Sequence, residues 1–130
     1  MLFSVKIKNI TLTTHIGTSS GYGCGGHSVI IEINLENNET CLTYINAVTG
    51  FYGGHTLTWY GTKLGNCGLV EFDKNATMIT FKVKSTSYDN FCPKELTITM
   101  ENDITKFKSL EMNHLVNKNY WTVWNANRSS

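Results

Sequence analysis

Residues 27–35, HSVIIEINL, place an apolar side chain at every second position from Val29 to Leu35. Successive side chains of a β-strand point to opposite faces, so these apolar residues share one face, while Glu32 and Asn34 lie on the other. A helix would instead need apolar residues three and four positions apart. The stretch therefore predicts a half-buried β-strand.

The same alternation recurs along the chain and predicts an all-β protein. The clearest predicted strands lie near residues 2–8, 28–35, 55–60, 77–85 and 94–101, and weaker ones near 40–48, 69–72, 104–112 and 120–124. About eight short strands, separated by Gly, Asn and Asp, are typical of an antiparallel β-sandwich in which two sheets pack face to face. We expect a single domain over residues 1–130, because a chain of this length fits one domain.

Two details of the alternation lead to further predictions. The apolar positions change parity after Ile7, which predicts a β-bulge near Asn9. Trp59 is in phase with the apolar residues of its strand and is expected in the core. Trp121 and Trp124, near the C-terminus, are also expected to close the core rather than to bind a ligand.

Residues 17–27, GTSSGYGCGGH, match two motifs of known chemistry. Residues 17–21 fit G-x-S-x-G, the nucleophile elbow of hydrolases, and residues 21–26 fit G-x-G-x-x-G, the dinucleotide fingerprint. Both motifs need a helix after the loop, either to hold the nucleophile on a strained turn or to bind a pyrophosphate at its N-terminus. Because a strand is predicted to follow, we expect a glycine-rich connection between strands and neither chemistry.

Composition excludes several functional classes. With 41% hydrophobic and 16% charged residues, the chain of 130 residues has a globular composition. A formal net charge of +1 gives no strong attraction for nucleic acid. No apolar run approaches the roughly 18 residues of a membrane-spanning helix. No two histidines lie at the spacing of metal ligands within one predicted element. The four histidines are His15, His27, His55 and His114.

The cysteines favour a secreted or lumenal protein with two disulfides, because they form an even, scattered set without a C-x-x-C pair. They are Cys24, Cys41, Cys67 and Cys92. Four buried thiols in a cytosolic protein are the alternative, and the sequence by itself allows three pairings. Four sequons would fit a glycoprotein, although chance gives roughly three matches in such a composition. They begin at Asn9, Asn38, Asn75 and Asn127.

The turn TGFYGGH, residues 49–55, is the first candidate ligand-binding surface, because Phe51 and Tyr52 stand there among glycines. Exposed aromatic rings on a turn can insert into a lipid interface or stack on a sugar. Alternatively, one or both rings fold back and cap the sandwich.

A set of outward-facing lysines is the second candidate ligand-binding surface. It comprises Lys6 and Lys8 on one strand, and Lys82 and Lys84 on another. If those strands are neighbours, the lysines form a basic stripe suited to anionic lipid or glycan. The alternative is a solvated polar face without a ligand.

Four segments follow one another in an order that a known family shares. The first segment joins two predicted strands through a glycine loop with Gly17 and Gly21-Tyr22-Gly23, and reads VKIKNITLTTHIGTSSGYGCGGHSVIIEINL. The second segment contains Leu64-Gly65 and reads TLTWYGTKLGN. The third reads FKVKSTSYDNFCPKELTITM, with Asp89, Asn90, Pro93, Leu96 and Ile98, and the fourth is the closing aromatic strand, NYWTVW. Over nearly the whole chain this order resembles a PLAT domain, also called the lipoxygenase homology domain.

The resemblance implies an eight-stranded β-sandwich that binds a membrane, a lipid or a protein partner without catalysis. Many PLAT domains also bind calcium, but residues 25–28, GGHS, stand where calcium-binding members supply an acidic ligand. Calcium needs six or more oxygen ligands with several carboxylates, so we expect no metal and no other cofactor. In the family's layout the glycine loop lies beside residues 89–90, which implies the disulfides Cys24–Cys92 and Cys41–Cys67.

These observations together predict a non-catalytic binding module of a secreted or lumenal protein. Its expected partner is a lipid or membrane surface, or a protein, and not a nucleic acid. A lectin-like module that binds carbohydrate through its aromatic residues is the main alternative. An enzyme domain whose site the sequence does not reveal is the third.

Overall fold

A computed structural model describes residues 4–14, 28–34, 39–46, 56–73, 75–86, 92–102, 104–109, 112 and 116–129. Ten strands and one 3₁₀ helix lie within these residues. The strands are β1 (Ser4–Val5), β2 (Ile7–Thr14), β3 (Ser28–Asn34), β4 (Thr40–Asn46), β5 (Thr56–Tyr60), β6 (Phe72–Asp73), β7 (Met78–Ser85), β8 (Pro93–Met100), β9 (Lys106–Ser109) and β10 (Thr122–Arg128). The 3₁₀ segment, η1 (Gly61–Gly68), directly follows β5 and is kinked at Gly65, whose backbone is not helical.

Eight of the described strands hydrogen-bond into one continuous sheet, in the order β4-β3-β7-β10-β9-β8-β2-β5. Every neighbouring pair is antiparallel. The other two strands, β1 and β6, form a separate antiparallel pair. The prediction of an all-β, antiparallel fold is therefore confirmed. Because the ladder runs without a break through eight strands, the division into two face-to-face sheets stays a prediction.

One face of the sheet carries the hydrophobic core. Cross-strand pairs on this face bring apolar side chains together, as in Ile31 opposite Val83 and Leu12 opposite Leu96. These four side chains are at most 1% exposed, and burying one such side chain stabilises the fold by about 1.5–3 kcal/mol. The apolar face predicted for residues 28–35 is the buried face of β3.

A β-bulge interrupts the pairing of β2 with β8 at the predicted place. Ile7 pairs with Met100 and Asn9 pairs with Thr99, so Lys8 is an extra residue of β2. An extra residue shifts all later side chains of the strand by one position relative to the partner. The bulge is therefore the physical cause of the parity change after Ile7.

The two end strands of the sheet, β4 and β5, are linked by side chains. The indole Nε1–H of Trp59 on β5 donates a buried hydrogen bond of 2.9 Å to Oγ1 of Thr43 on β4. η1 continues from β5 towards β4, where the side-chain Oδ1 of Asn66 accepts a 2.8 Å hydrogen bond from the Leu42 N–H. The sheet therefore curls until its first and last strands meet.

A disulfide strengthens this closure. It joins Cys41 of β4 to Cys67 of η1, with the two Cα atoms 5.0 Å apart. The predicted Cys41–Cys67 pair is thus confirmed. Cys92, which precedes β8, is also disulfide-bonded. Its predicted partner, Cys24, lies outside the described residues, so that pair stays a prediction.

Several elements differ from the sequence-based prediction, including β6, which begins three residues later than the strand predicted near 69–72, and β10, which extends past the strand predicted near 120–124. The first predicted strand, near residues 2–8, continues to Thr14 as β1 and β2. The segment GTKLGNCG forms η1 although it contains three glycines, and no helical turn was expected there. Gly61 and Gly65 both have a φ of +63°, in the left-handed region that favours glycine.

Candidate functional site

The sequence-predicted site residues fall in different parts of the molecule. Phe51 and Tyr52 lie outside the described residues, and so do Asp89, Asn90 and the glycine-rich stretch that matches the two catalytic motifs. That stretch precedes β3, so a strand and not a helix follows it, as predicted. The four candidate lysines are all described.

The structure does not bring these lysines onto neighbouring strands. Lys6 lies between β1 and β2 and Lys8 lies near the start of β2, whereas Lys82 and Lys84 lie on β7. Three strands, β10, β9 and β8, separate β2 from β7 in the sheet. The predicted basic stripe therefore does not form, because strand order is set by pairing between distant parts of the chain.

Lys82 and Lys84 instead flank an aromatic ring. Their ammonium nitrogens lie 5.2 Å and 5.4 Å from the centroid of the Trp121 ring, within the range of a cation–π interaction. Lys82 also forms a 2.8 Å ion pair with Glu32 on β3. The lysine side chains are thereby held against a half-buried tryptophan on the side of the sheet that faces away from the core.

The expectation that Trp121 closes the core is wrong, whereas Trp124 does pack against it. The Trp124 ring stacks on Phe81 with ring centroids 6.3 Å apart. Trp121 directly precedes β10 and lies beside Lys82 and Lys84, on the face that also carries Val123, which is 60% exposed. Alternation gives the same result, because two residues three positions apart point to opposite faces of a strand. This parity is visible in the sequence and could have placed Trp121 correctly.

Two cross-strand rows extend this surface across four strands. The first row contains Leu42, Glu32, Lys82 and Val123. The second contains Tyr44, Ile30 and Lys84, next to Trp121. We call the surface made by Leu42, Tyr44, Lys82, Lys84, Trp121 and Val123 the Trp121 face. It combines exposed apolar and aromatic side chains with two lysines.

The phenol of Tyr44 is anchored at the edge of the Trp121 face. Side-chain hydrogen bonds from Ser28 and, to a smaller extent, Thr86 lower the pKa of Tyr44 from its ordinary value, and partial burial opposes this shift. Donation to the phenol oxygen favours its ionised form. The ring itself stays 52% exposed, so Tyr44 can still contact a partner.

A groove of about 880 Å³ lies elsewhere, between β2, β5 and η1. We call it the η1 groove. Tyr60 and Leu69 line it and are 67% and 75% exposed. Its polar lining includes Lys8, Asn9 and Glu101. The sequence did not single out this site as a whole, because three separate segments build it.

The described residues contain no group of three or more His, Cys, Asp or Glu side chains that could hold a metal ion. Within that same part of the chain, no helix is long and apolar enough to span a membrane. The two exposed surfaces are the candidate functional sites within the described residues.

No protein-family model matches the chain, and no curated protein is significantly similar to it.

Proposed function

We propose that the protein is a non-catalytic binding module that contacts an anionic lipid or membrane surface through the Trp121 face. The observation that carries this proposal is the position of Trp121 beside two lysine ammonium groups on an exposed sheet face. Tryptophan favours the boundary between lipid headgroups and hydrocarbon, because its apolar ring can contact the hydrocarbon while its polar N–H stays near the headgroups. Lysines next to it can bind anionic headgroups.

The apolar neighbours of Trp121 support the same partner. Val123, Leu42 and Tyr44 are exposed on the same face, at 60%, 42% and 52%. Large apolar side chains grouped on a surface mark an interaction site more often than single ones. An outer sheet face with grouped apolar residues suits a membrane interface, which offers no pocket to fill.

The lysines also favour a headgroup over a stacked sugar at this surface. Sugar stacking needs a free aromatic face. Two ammonium groups lie within 5.4 Å of the Trp121 centroid, so a sugar ring would compete with them for the aromatic ring. Lys84 adds a positive charge to the surface where phosphate or carboxylate oxygens would bind, whereas the charge of Lys82 is balanced by Glu32.

The remaining expectations belong to this proposal. The resemblance to PLAT domains supports a two-sheet sandwich that contacts a lipid surface or a protein partner. The Cys41–Cys67 disulfide is compatible with an oxidising, secreted or lumenal location. Glycosylation at one or more of the sequons would be consistent with that location.

Co-sedimentation with vesicles tests the proposal. We expect binding to vesicles of phosphatidylcholine mixed with phosphatidylserine, and several-fold weaker binding to pure phosphatidylcholine. Lys84→Gln should weaken binding about fivefold, because one basic residue near an anionic surface contributes about 1 kcal/mol. Trp121→Ala should weaken binding to both vesicle types, and raised salt should weaken only the charge-dependent part.

Lys106→Gln is the matched control, because Lys106 is an exposed lysine two strands from β7 in the sheet. It should bind vesicles like the unchanged protein. Absence of binding to both vesicle types would reject the lipid surface. Equal loss in Lys84→Gln and Lys106→Gln would show general charge attraction rather than a site. Binding to a protein partner that depends on Trp121 without any vesicle binding would assign the face to that partner instead.

A further inference from the structure

The η1 groove is built by the β-bulge of β2 and by the turn after β5. The bulge places Lys8 and Asn9 consecutively in the lining of the groove. Asn9 pairs with Tyr60 across the strands, which sets their Cβ atoms about 4.5–5.5 Å apart. A flat aromatic ring thus stands beside an amide at the groove wall.

The opposite wall comes from η1 and exposes main chain. Gly61, Gly65 and Gly68 all line the groove. A Cβ at Gly61 would meet no atom within 4 Å, so the space above this residue is open. Where side chains are missing, main-chain N–H and C=O groups can be reached by a ligand.

We propose that the η1 groove binds a neutral saccharide, with the Tyr60 ring as the platform for one sugar ring. Sugars present an apolar C–H face that stacks on an aromatic ring, and hydroxyl groups that need both donors and acceptors. In the groove, the ring of Tyr60 can stack on the C–H face of a sugar. The amide of Asn9 and the hydroxyl of Thr62 can donate to and accept from the sugar hydroxyl groups. This site is separate from the Trp121 face and does not depend on the function proposed above.

The charged residues of the groove favour a neutral ligand. Lys8 and Glu101 both line it, so its fixed charges are of opposite sign. A strongly anionic ligand would meet the carboxylate, and a cationic ligand would meet the ammonium group. A fully apolar ligand such as an acyl chain would leave the amide of Asn9 without a polar partner when it displaced water.

Two-dimensional ¹H–¹⁵N NMR of the labelled protein tests the inference, with neutral oligosaccharides of glucose, galactose, mannose and N-acetylglucosamine as probes. At least one probe should shift the amide signals of Tyr60, Gly61 and Leu69 in a saturable way. Tyr60→Ala should raise its Kd about tenfold or more, because an aromatic contact of about 1.4 kcal/mol is lost. Tyr60→Phe should keep binding, because the stacking face remains.

Tyr120→Ala is the control, because Tyr120 is 51% exposed outside the η1 groove, and it should leave the Kd unchanged. Thermal melting of each variant separates a loss of binding from a loss of folding. The inference is overturned if no probe shifts the groove signals, or if the shifts survive Tyr60→Ala in a folded protein. Saturable shifts with dodecanoate and none with the saccharides would assign the groove to an acyl chain and also reject it.

Discussion

Gly65 shows how one residue ties η1 to the sheet. A Cβ added at this position would lie 2.8 Å from the carbonyl oxygen of Leu42, a main-chain atom that cannot rotate away. Gly65 also has a φ of +63°. The residue therefore needs both the conformation and the small size of glycine. Gly61 has the same φ but open space around it, so it needs only the conformation.

This difference predicts unequal effects of alanine. Gly65→Ala should lower the free energy of unfolding by about 2–4 kcal/mol, because left-handed strain adds to the contact with Leu42. Gly61→Ala should lower it by about 1–2 kcal/mol, from the strain alone. Urea denaturation of both variants measures the difference. Equal losses would mean that η1 does not press against β4 as described.

At the scale of the element, the buried hydrogen bond between Trp59 and Thr43 joins two strands that are not paired in the ladder. Thr43→Val keeps the size of the side chain but leaves the indole N–H without its acceptor. We expect a loss of about 1–3 kcal/mol in the free energy of unfolding, measured by urea denaturation.

Thr43→Ser provides the control, because it keeps the hydroxyl and removes only a methyl group. It should cost about 1 kcal/mol, less than Thr43→Val costs. If the serine variant is the less stable of the two, packing of the methyl group rather than the hydrogen bond holds β4 against β5.

At the scale of the whole molecule, the Cys41–Cys67 disulfide ties β4, one end strand of the eight-stranded sheet, to η1, which directly follows the other end strand, β5. The bridge spans 26 residues of sequence. In the chain-entropy model, a bridge that closes a loop of this length in the unfolded chain raises the free energy of unfolding by roughly 3–4 kcal/mol. Cys41→Ala, Cys67→Ala and the double variant should therefore lose similar amounts of stability, because any one of them removes the whole bridge.

Thermal melting under non-reducing conditions measures this effect. Additive losses in the double variant would contradict it. Because Cys92 is also disulfide-bonded, a further fall in the Tm of the double variant on reduction would report that second bridge. Non-reducing peptide mapping would then show whether Cys24 is its partner, as predicted.

Features that depend on neighbouring residues could be read from the sequence. Strand positions follow from the alternation of apolar residues, and the bulge at Asn9 follows from the change of parity after Ile7. The burial of Trp59 follows in the same way. Trp121 is three positions from Trp124, so alternation also predicts that the two rings lie on opposite faces.

Features that depend on strand order could not be read in this way. The predicted lysine stripe needed β2 beside β7, and nothing in either segment records that three strands separate them. The Trp121 face needs four strands in register, and the η1 groove needs the bulge of β2 beside the end of β5 and η1, which lie far from β2 in the sequence. Neither surface has a local signature.

The sequence by itself therefore determined which residues form strands and which side of each strand is apolar, because side-chain direction alternates along a single extended chain. The tertiary structure decided which strands are neighbours, how the end strands close through Thr43, Trp59 and η1, and which exposed side chains share a surface. Those outcomes follow from pairing and packing between residues far apart in sequence. The free energy of such contacts depends on all partners together, so it cannot be predicted from the sequence of any single segment.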